Sequence, residues 1–212
     1  MLFVDGENFT IRGQEFASHS GLKLIAGPYW RKDVFLWAPG RSPRAALANI
    51  DTWGTLAPAA VRAHYYTSVV GDDPLIEEVR EQLWTIGFDP HVFKREKTGQ
   101  KSKGVDIALA TDVLSHAFQN HYEMAVLVAG DGDYAPLVRE VKRLGKVVTV
   151  MSIGSGLSPK LRLAADDCIY GEPWLAAAWL ANVGEAPAHA EPGRQEPAQE
   201  QATPAELGSD GR

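Results

Sequence analysis

Apolar residues along this chain follow two alternating rhythms. Leu2-Phe3-Val4 and residues 61–70, 88–93, 124–129 and 147–153 are short runs dominated by apolar side chains, and 61–70 is rich in β-branched and aromatic ones. Between these runs the apolar positions recur every three or four residues. Leu75, Val79, Leu83 and Ile86 do so after Asp73-Pro74, an N-cap followed by a proline at the first helical position. Val105, Leu109, Val113 and Ala117 form one stripe over residues 105–118. The runs read as strands and the stripes as helix faces. Residues 136–144 are predicted helical, and Ser158-Pro159 opens a further helix to residue 165. Trp174, Leu175, Trp179 and Leu180 mark a last amphipathic helix. Runs as uniformly apolar as 124–129 suit parallel strands covered on both faces. Strands alternating with helices predict an α/β fold with a mostly parallel sheet.

Two stretches break the rhythm. Residues 20–60 hold three tryptophans and four glycines with little periodicity. They read as an insertion carrying one or two helices that cover the site. Residues 184–212 are the second stretch. From Glu185 onward there are six acids, two bases, four prolines and no aromatic residue. Such a tail cannot bury enough apolar surface to offset its ordering entropy, so it is expected to be disordered. The folded domain is therefore assigned to residues 1–183.

Composition narrows the field of functions. The chain has 212 residues, enough for one core without staples. Cys168 is the only cysteine, which excludes an intramolecular disulfide and Cys-rich zinc centres. No run approaches the length of a membrane span, and the first residues lack the pattern of a secretory signal, so a cytoplasmic location is expected. The net charge of −6, of which the tail carries −4, argues against coating nucleic acid by bulk charge and leaves room for a local basic groove.

The acids stand at informative places. Asp5 ends the first predicted strand. Asp131 follows the run that ends at Ala129-Gly130, and Asp133 comes two residues later. Ligands of open parallel sheets bind outside the carboxyl ends of the strands. If the first strand and the 124–129 strand are neighbours, Asp5 and Asp131 meet at one edge. Asp106 begins a helix just after Lys103-Gly104, where the helix dipole favours a carboxylate. One such Asp is commonly a turn former or cap. Several of them brought together repel one another unless a cation intervenes, and oxygen ligands suit Mg²⁺ or Mn²⁺. Spacing alone leaves the structural and the metal-binding readings both open. On the metal reading, the leading chemistry is hydrolysis of a phosphodiester by an activated water.

Three segments, in order along the chain, carry a resemblance. They are Phe3-Val4-Asp5-Gly6-Glu7-Asn8, Lys103 to Asp112 (KGVDIALATD) and Val128-Ala129-Gly130-Asp131-Gly132-Asp133-Tyr134. Together they resemble the motifs of NYN domains, in the PIN-like ribonuclease superfamily, and most of all the bacterial LabA-like subgroup. Ordered triplets of motifs are far more specific than any one alone. The resemblance implies a three-layer α/β/α sandwich, a divalent-metal site and RNA hydrolysis. By position, Asp5, Asp106 and Asp131 match the metal-holding acids, Asp133 a second acid of the last motif, and Asn8 a polar residue that helps hold the site. Asp112 also matches, but six residues beyond Asp106 it lies on another helix face, so it is assigned a supporting or structural role. Ala129 stands where the pattern usually has Ser, and Tyr134 where it commonly has Phe. Neither change removes a carboxylate.

Other features fill in the expectation. Lys94, Arg95, Lys97, Lys101 and Lys103 form a basic segment running into Asp106, suited to holding an RNA backbone. Trp84 is placed in the core beside Leu83, and one of Tyr65 and Tyr66 is expected to be buried. His64, His91, His116 and His121 show no ligand spacing. The residue pair Asp5 and Glu7 departs from the two-Asp pattern that an aspartyl-phosphate phosphatase commonly wants. Two functions stand: a metal-dependent ribonuclease, and a non-catalytic RNA-binding or regulatory module that retains the fold. A homodimer or a protein partner supplying specificity is compatible with either.

Overall fold

The run Leu2-Phe3-Val4 does become a strand, and every one of its side chains is buried. In the computed structural model of the chain, which describes residues 1–43, 62–96 and 103–184, this strand lies at the middle of a six-stranded sheet. The strands are β1 (Leu2–Asp5), β4 (Ala63–Val70), β5 (Asp89–Arg95), β6 (Met124–Val128), β7 (Val147–Ser152) and β8 (Asp167–Tyr170). Their order is β5-β4-β1-β6-β7-β8, and every pairing is parallel. A short antiparallel hairpin, β2 (Trp30–Arg31) with β3 (Phe35–Leu36), stands apart from the sheet.

The helices are α1 (Gly6–Ser20), α2 (Asp73–Thr85), α3 (Lys103–Phe118), α4 (Ala135–Arg143), α5 (Pro159–Ala164) and α6 (Glu172–Gly184). Period-2 alternation sends each strand's side chains to two separate cores. Leu2, Val4, Tyr65, Val126 and Val128 join Phe9 of α1, Val79 and Leu83 of α2 and Trp179 of α6. Phe3, Tyr66, Leu127 and Val150 join Leu109 of α3, Val138 of α4 and Leu161 of α5. The result is three layers, helix on sheet on helix. Among the described residues no helix is long and apolar enough to cross a membrane.

Local chemistry sets the element ends. Asp5 closes β1 and at once caps α1, accepting from the Asn8 amide at 3.0 Å. Asp72, one residue before the Asp73 read as a cap, is the N-cap of α2 and accepts from Leu75 N. Ser158 caps α5 as expected, accepting from Lys160 N.

The structure corrects several expectations. Between Ser20, which ends α1, and Pro43, which is helical, the described part of 20–60 holds no helix, and the rest of the segment expected to carry helices falls on residues outside those described. The described part holds the β2–β3 hairpin, and Phe35, Leu36 and Trp37 sink into the core on the α1 side of the sheet. There Leu36 N donates to the Tyr65 hydroxyl, and Thr67 Oγ1 donates to Val34 O. It therefore lies on the face away from Asp106. Residues 44–61 and the tail beyond 184 lie outside the described residues. α1 and β8 had no periodic signature: α1 buries its Gly6, Thr10 and Gly13 beside Phe9 and Ala17, so small and polar residues do the packing. Trp84 is 71% exposed, because Leu83 one position earlier takes the sheet-facing side. Tyr65 and Tyr66 are both fully buried, each on its own face of the sheet.

Close backbone approach explains two glycines of the motifs. A Cβ on Gly6 would lie 2.6 Å from Tyr66 O. One on Gly130 would lie 2.2 Å from Gly156 O. Both neighbours are main chain and cannot swing away. Gly130→Ala is expected to destabilise the domain by about 1–3 kcal/mol, read from the urea midpoint, because the loops after β6 and β7 must part.

Candidate active site at the carboxyl edge of the sheet

β1 pairs with β6 as the acid placement required, Leu2 opposite Val126 and Val4 opposite Val128. Asp5 and the loop that starts at Ala129 thus emerge side by side. Asn8 fastens the two: Gly130 N donates to its side-chain Oδ1 at 3.0 Å. Asp131 caps the 3-10 turn Gly132–Tyr134, accepting from Asp133 N at 3.0 Å. That turn drives Tyr134 inward, where it is 5% exposed.

The Tyr134 hydroxyl is the focus of the site. It lies 3.1 Å from Asp5 Oδ2 and 3.0 Å from Asp106 Oδ1. One hydroxyl carries one hydrogen, so it donates to one carboxylate at a time. Asp5 is 4% exposed, and burial, with Asp106 and Glu7 adding repulsion, pushes its carboxyl up to about 7 against the favourable Asn8 and Tyr134 hydrogen bonds. Burial beside the two carboxylates likewise raises the Tyr134 phenol well above the ordinary range, which keeps it a donor. A cavity of about 180 Å³ opens next to these groups, lined by Asp106, Asp131, Asp133 and Tyr134 with apolar Ile107 and Leu137. Asp5 stands behind Tyr134, and Asp133 is exposed at the rim.

The donor set suits a hard cation. Every polar side chain lining the cavity presents oxygen, and the nearby pair Asp5–Asp106 shares the one Tyr134 hydrogen, so that once Asp5 is ionised the two carboxylates need further compensation. A divalent metal such as Mg²⁺ or Mn²⁺ meets that need.

Asp112 points elsewhere. Its Oδ2 accepts from the Tyr66 hydroxyl at 2.8 Å and lies 3.7 Å from His91 Nδ1. It therefore ties α3 to β4 and β5. The basic segment divides by strand alternation. Lys94 pairs with Asp73 of α2 at 3.2 Å, on the side of the sheet away from α3. Arg95 turns the other way and approaches Glu7 to 4.0 Å, with only 14% of its side chain exposed and its Nε without a hydrogen-bond partner. Glu7 in turn accepts from Ser68 Oγ. Lys97 and Lys101 lie outside the described residues, and Lys103 is the first residue of α3.

Sequence reasoning missed Tyr134 and Glu7 at this edge, and a histidine cluster elsewhere on the sheet. Tyr134 was visible only as a departure from Phe, with nothing to say where its hydroxyl goes. Glu7 carried no signal beyond its place beside Asp5. The histidines show no ligand spacing along the chain, yet ligand atoms of His64, Asp89 and His91 all come within 4.8 Å of one another. Residues on separate strands have no fixed spacing along the chain. Their meeting depends on the β4–β5 register.

Comparison with known proteins agrees with this architecture. The family model described as "NYN domain" matches residues 1–176. An uncharacterized protein of Methanocaldococcus jannaschii is 30% identical over 101 residues, which is 48% of this chain and 37% of that protein. The chain thus spans well under half the length of this curated relative. A crystal structure of a protein of unknown function from Vibrio parahaemolyticus superposes with a TM-score of 0.52 at 19% identity, over 80% of this chain and 90% of that one. That likeness concerns the fold.

Proposed function

This chain belongs to the NYN-domain family, and from that premise we propose that it is a divalent-metal-dependent ribonuclease. The observation that carries the reading is the convergence of Asp5 Oδ2 and Asp106 Oδ1 on one Tyr134 hydroxyl, at the edge of a cavity shared with Asp131 and Asp133. Asp5, Asp106 and Asp131 would hold Mg²⁺ or Mn²⁺. A cation held there supplies activation of a water and neutralisation of charge developing on a phosphoryl group.

The chain's own residues supply the rest. Asp133, exposed at the rim, would orient the attacking water or join the ligands. Asn8 fixes the loop that presents Asp131 by accepting from Gly130 N. Tyr134 keeps its proton and donates it to whichever of Asp5 and Asp106 is ionised. Asp112 acts from behind, bracing α3 through Tyr66 so that Asp106 keeps its place. RNA, rather than a small phosphoester, is the substrate class that the family resemblance favours.

Two described members of the basic segment are on the α3 side of the sheet, Lys103 at the start of α3 and Arg95 beside Glu7. Arg95→Gln is expected to weaken RNA binding about tenfold in a filter assay at low salt, with a shallower salt dependence. Lys94→Gln, on the opposite side, is expected to leave affinity within twofold.

The test is cleavage of mixed single-stranded and structured RNA by the purified chain in Mg²⁺, in Mn²⁺ and in EDTA. Cleavage is expected with either metal, and its loss in EDTA. Salt-sensitive RNA binding without cleavage in any metal would replace the reading with a non-catalytic RNA-binding module. Absence of both would remove RNA from the account.

A further inference from the structure

A second cluster of metal-ligating side chains lies away from the carboxyl edge. β4 and β5 pair with His64 opposite Asp89 and Tyr66 opposite His91. With the period of two, these four side chains share the α3 face near the start of both strands. His64 Nδ1 stands 3.3 Å from His91 Nε2 and 3.4 Å from Asp89 Oδ2. His116, from the last turn of α3, adds a ring whose centroid is 5.4 Å from that of His64.

These separations carry the argument. They are long for hydrogen bonds, which prefer about 2.7–3.2 Å. A tetrahedral ion with bonds of about 2.0–2.1 Å to nitrogen or oxygen sets its ligand atoms about 3.3–3.4 Å apart. The two separations from His64 Nδ1 match those edges, and the ligand atoms of His64, Asp89 and His91 all lie within 4.8 Å of one another, so a small approach of His91 to Asp89 would close a four-coordinate site.

The surroundings prepare the rings as ligands. His64 is 4% exposed and stacked on Phe3 at 5.3 Å, and its Nε2 has no hydrogen-bond partner, so its polar contacts run through Nδ1. His91 is stacked on Tyr66 at 4.3 Å, and its Nδ1 faces Asp112, which leaves Nε2 for the cluster. That is the outer-shell carboxylate commonly found behind a metal-bound imidazole. Burial lowers the proton affinity of His64 to about 4 and also lowers that of His91, which leaves both rings neutral near pH 7.

We propose that His64, His91 and Asp89 form a Zn²⁺ site that clamps β4 to β5, with the fourth position taken by water or by His116. Two imidazoles and one carboxylate select a borderline ion over Mg²⁺. The site is thus chemically distinct from the all-oxygen cavity at Asp106 and Asp131. It does not depend on the ribonuclease reading.

Co²⁺ reports the geometry directly, because a four-coordinate ion gives intense visible bands. The experiment uses the full chain stripped with EDTA, carrying Asp106→Asn and Asp131→Asn so that the acidic cavity cannot answer. One equivalent of Co²⁺ is expected to give those bands, Zn²⁺ to bleach them and excess Mg²⁺ to leave them unchanged. His91→Gln, and separately Asp89→Asn, whose parent side chain is 58% exposed, are each expected to weaken Co²⁺ and Zn²⁺ binding at least tenfold. Zn²⁺ is also expected to raise the melting temperature of the parent and not of these variants. Absence of the bands, or equal affinity in a folded Asp89→Asn, would overturn the proposal. If His91→Gln does not fold, Asp89→Asn decides alone.

Discussion

Asp106→Asn is expected to lower RNA cleavage by more than about 100-fold, beyond what loss of a mere outer-shell partner of a metal costs. Stability is expected to stay within about 1 kcal/mol, since the residue is exposed and only a first-turn helix charge is lost. The substitution preserves shape. The amide oxygen can still accept from Tyr134, but it contributes no charge for a cation. Single-turnover cleavage in Mn²⁺, read beside the urea midpoint, separates the two effects. Binding of uncleaved RNA should persist or tighten, because one negative charge leaves the path of the backbone. Near-normal cleavage by this variant would remove Asp106 from the site.

The contrast between Asp106 and Asp112 shows what the sequence made legible. Both acids sit on one helix, and helical geometry alone put them on different faces. In the structure the first meets Tyr134 and the second meets Tyr66. The parallel strands were legible because their apolar runs had to be covered on both faces, and the neighbourhood of Asp5 and Asp131 followed from β1 lying next to β6. What stayed hidden depends on pairings between distant residues. α1 packs with glycines and threonine rather than a leucine stripe. The β2–β3 hairpin has strands of two residues each, too short for periodicity. His64 and His91 are 27 residues apart, and β-register is what joins them. Tyr134 shows in the sequence only as a departure from Phe, while in the structure its ring is buried and its hydroxyl reaches the carboxylates.

Asp5→Asn is expected to abolish cleavage and at the same time to stabilise the metal-free protein above neutral pH. The reason is the buried carboxyl, whose proton affinity is pushed from 3.8 to about 7, chiefly by burial and with repulsion from Asp106. Between those two values the unfolded chain has lost the proton while the folded chain still holds it. The folded state then binds more protons, so stability falls as pH rises through this window and levels off above about 7. The full difference amounts to about 4 kcal/mol at one unit per 1.36 kcal/mol, an upper bound for a site that can relax. An asparagine at this position keeps the cap on α1 and carries no charge to bury. In EDTA the variant should therefore gain about 2–4 kcal/mol over the parent at pH 8 and less than about 1 kcal/mol at pH 4, as measured by urea unfolding across that range. Mg²⁺ should erase the gap at pH 8 by stabilising the ionised parent and not the variant. A parent whose metal-free stability relative to Asp5→Asn is flat from pH 4 to pH 8 would mean that Asp5 is ionised throughout, and the charge would then need a partner other than a metal.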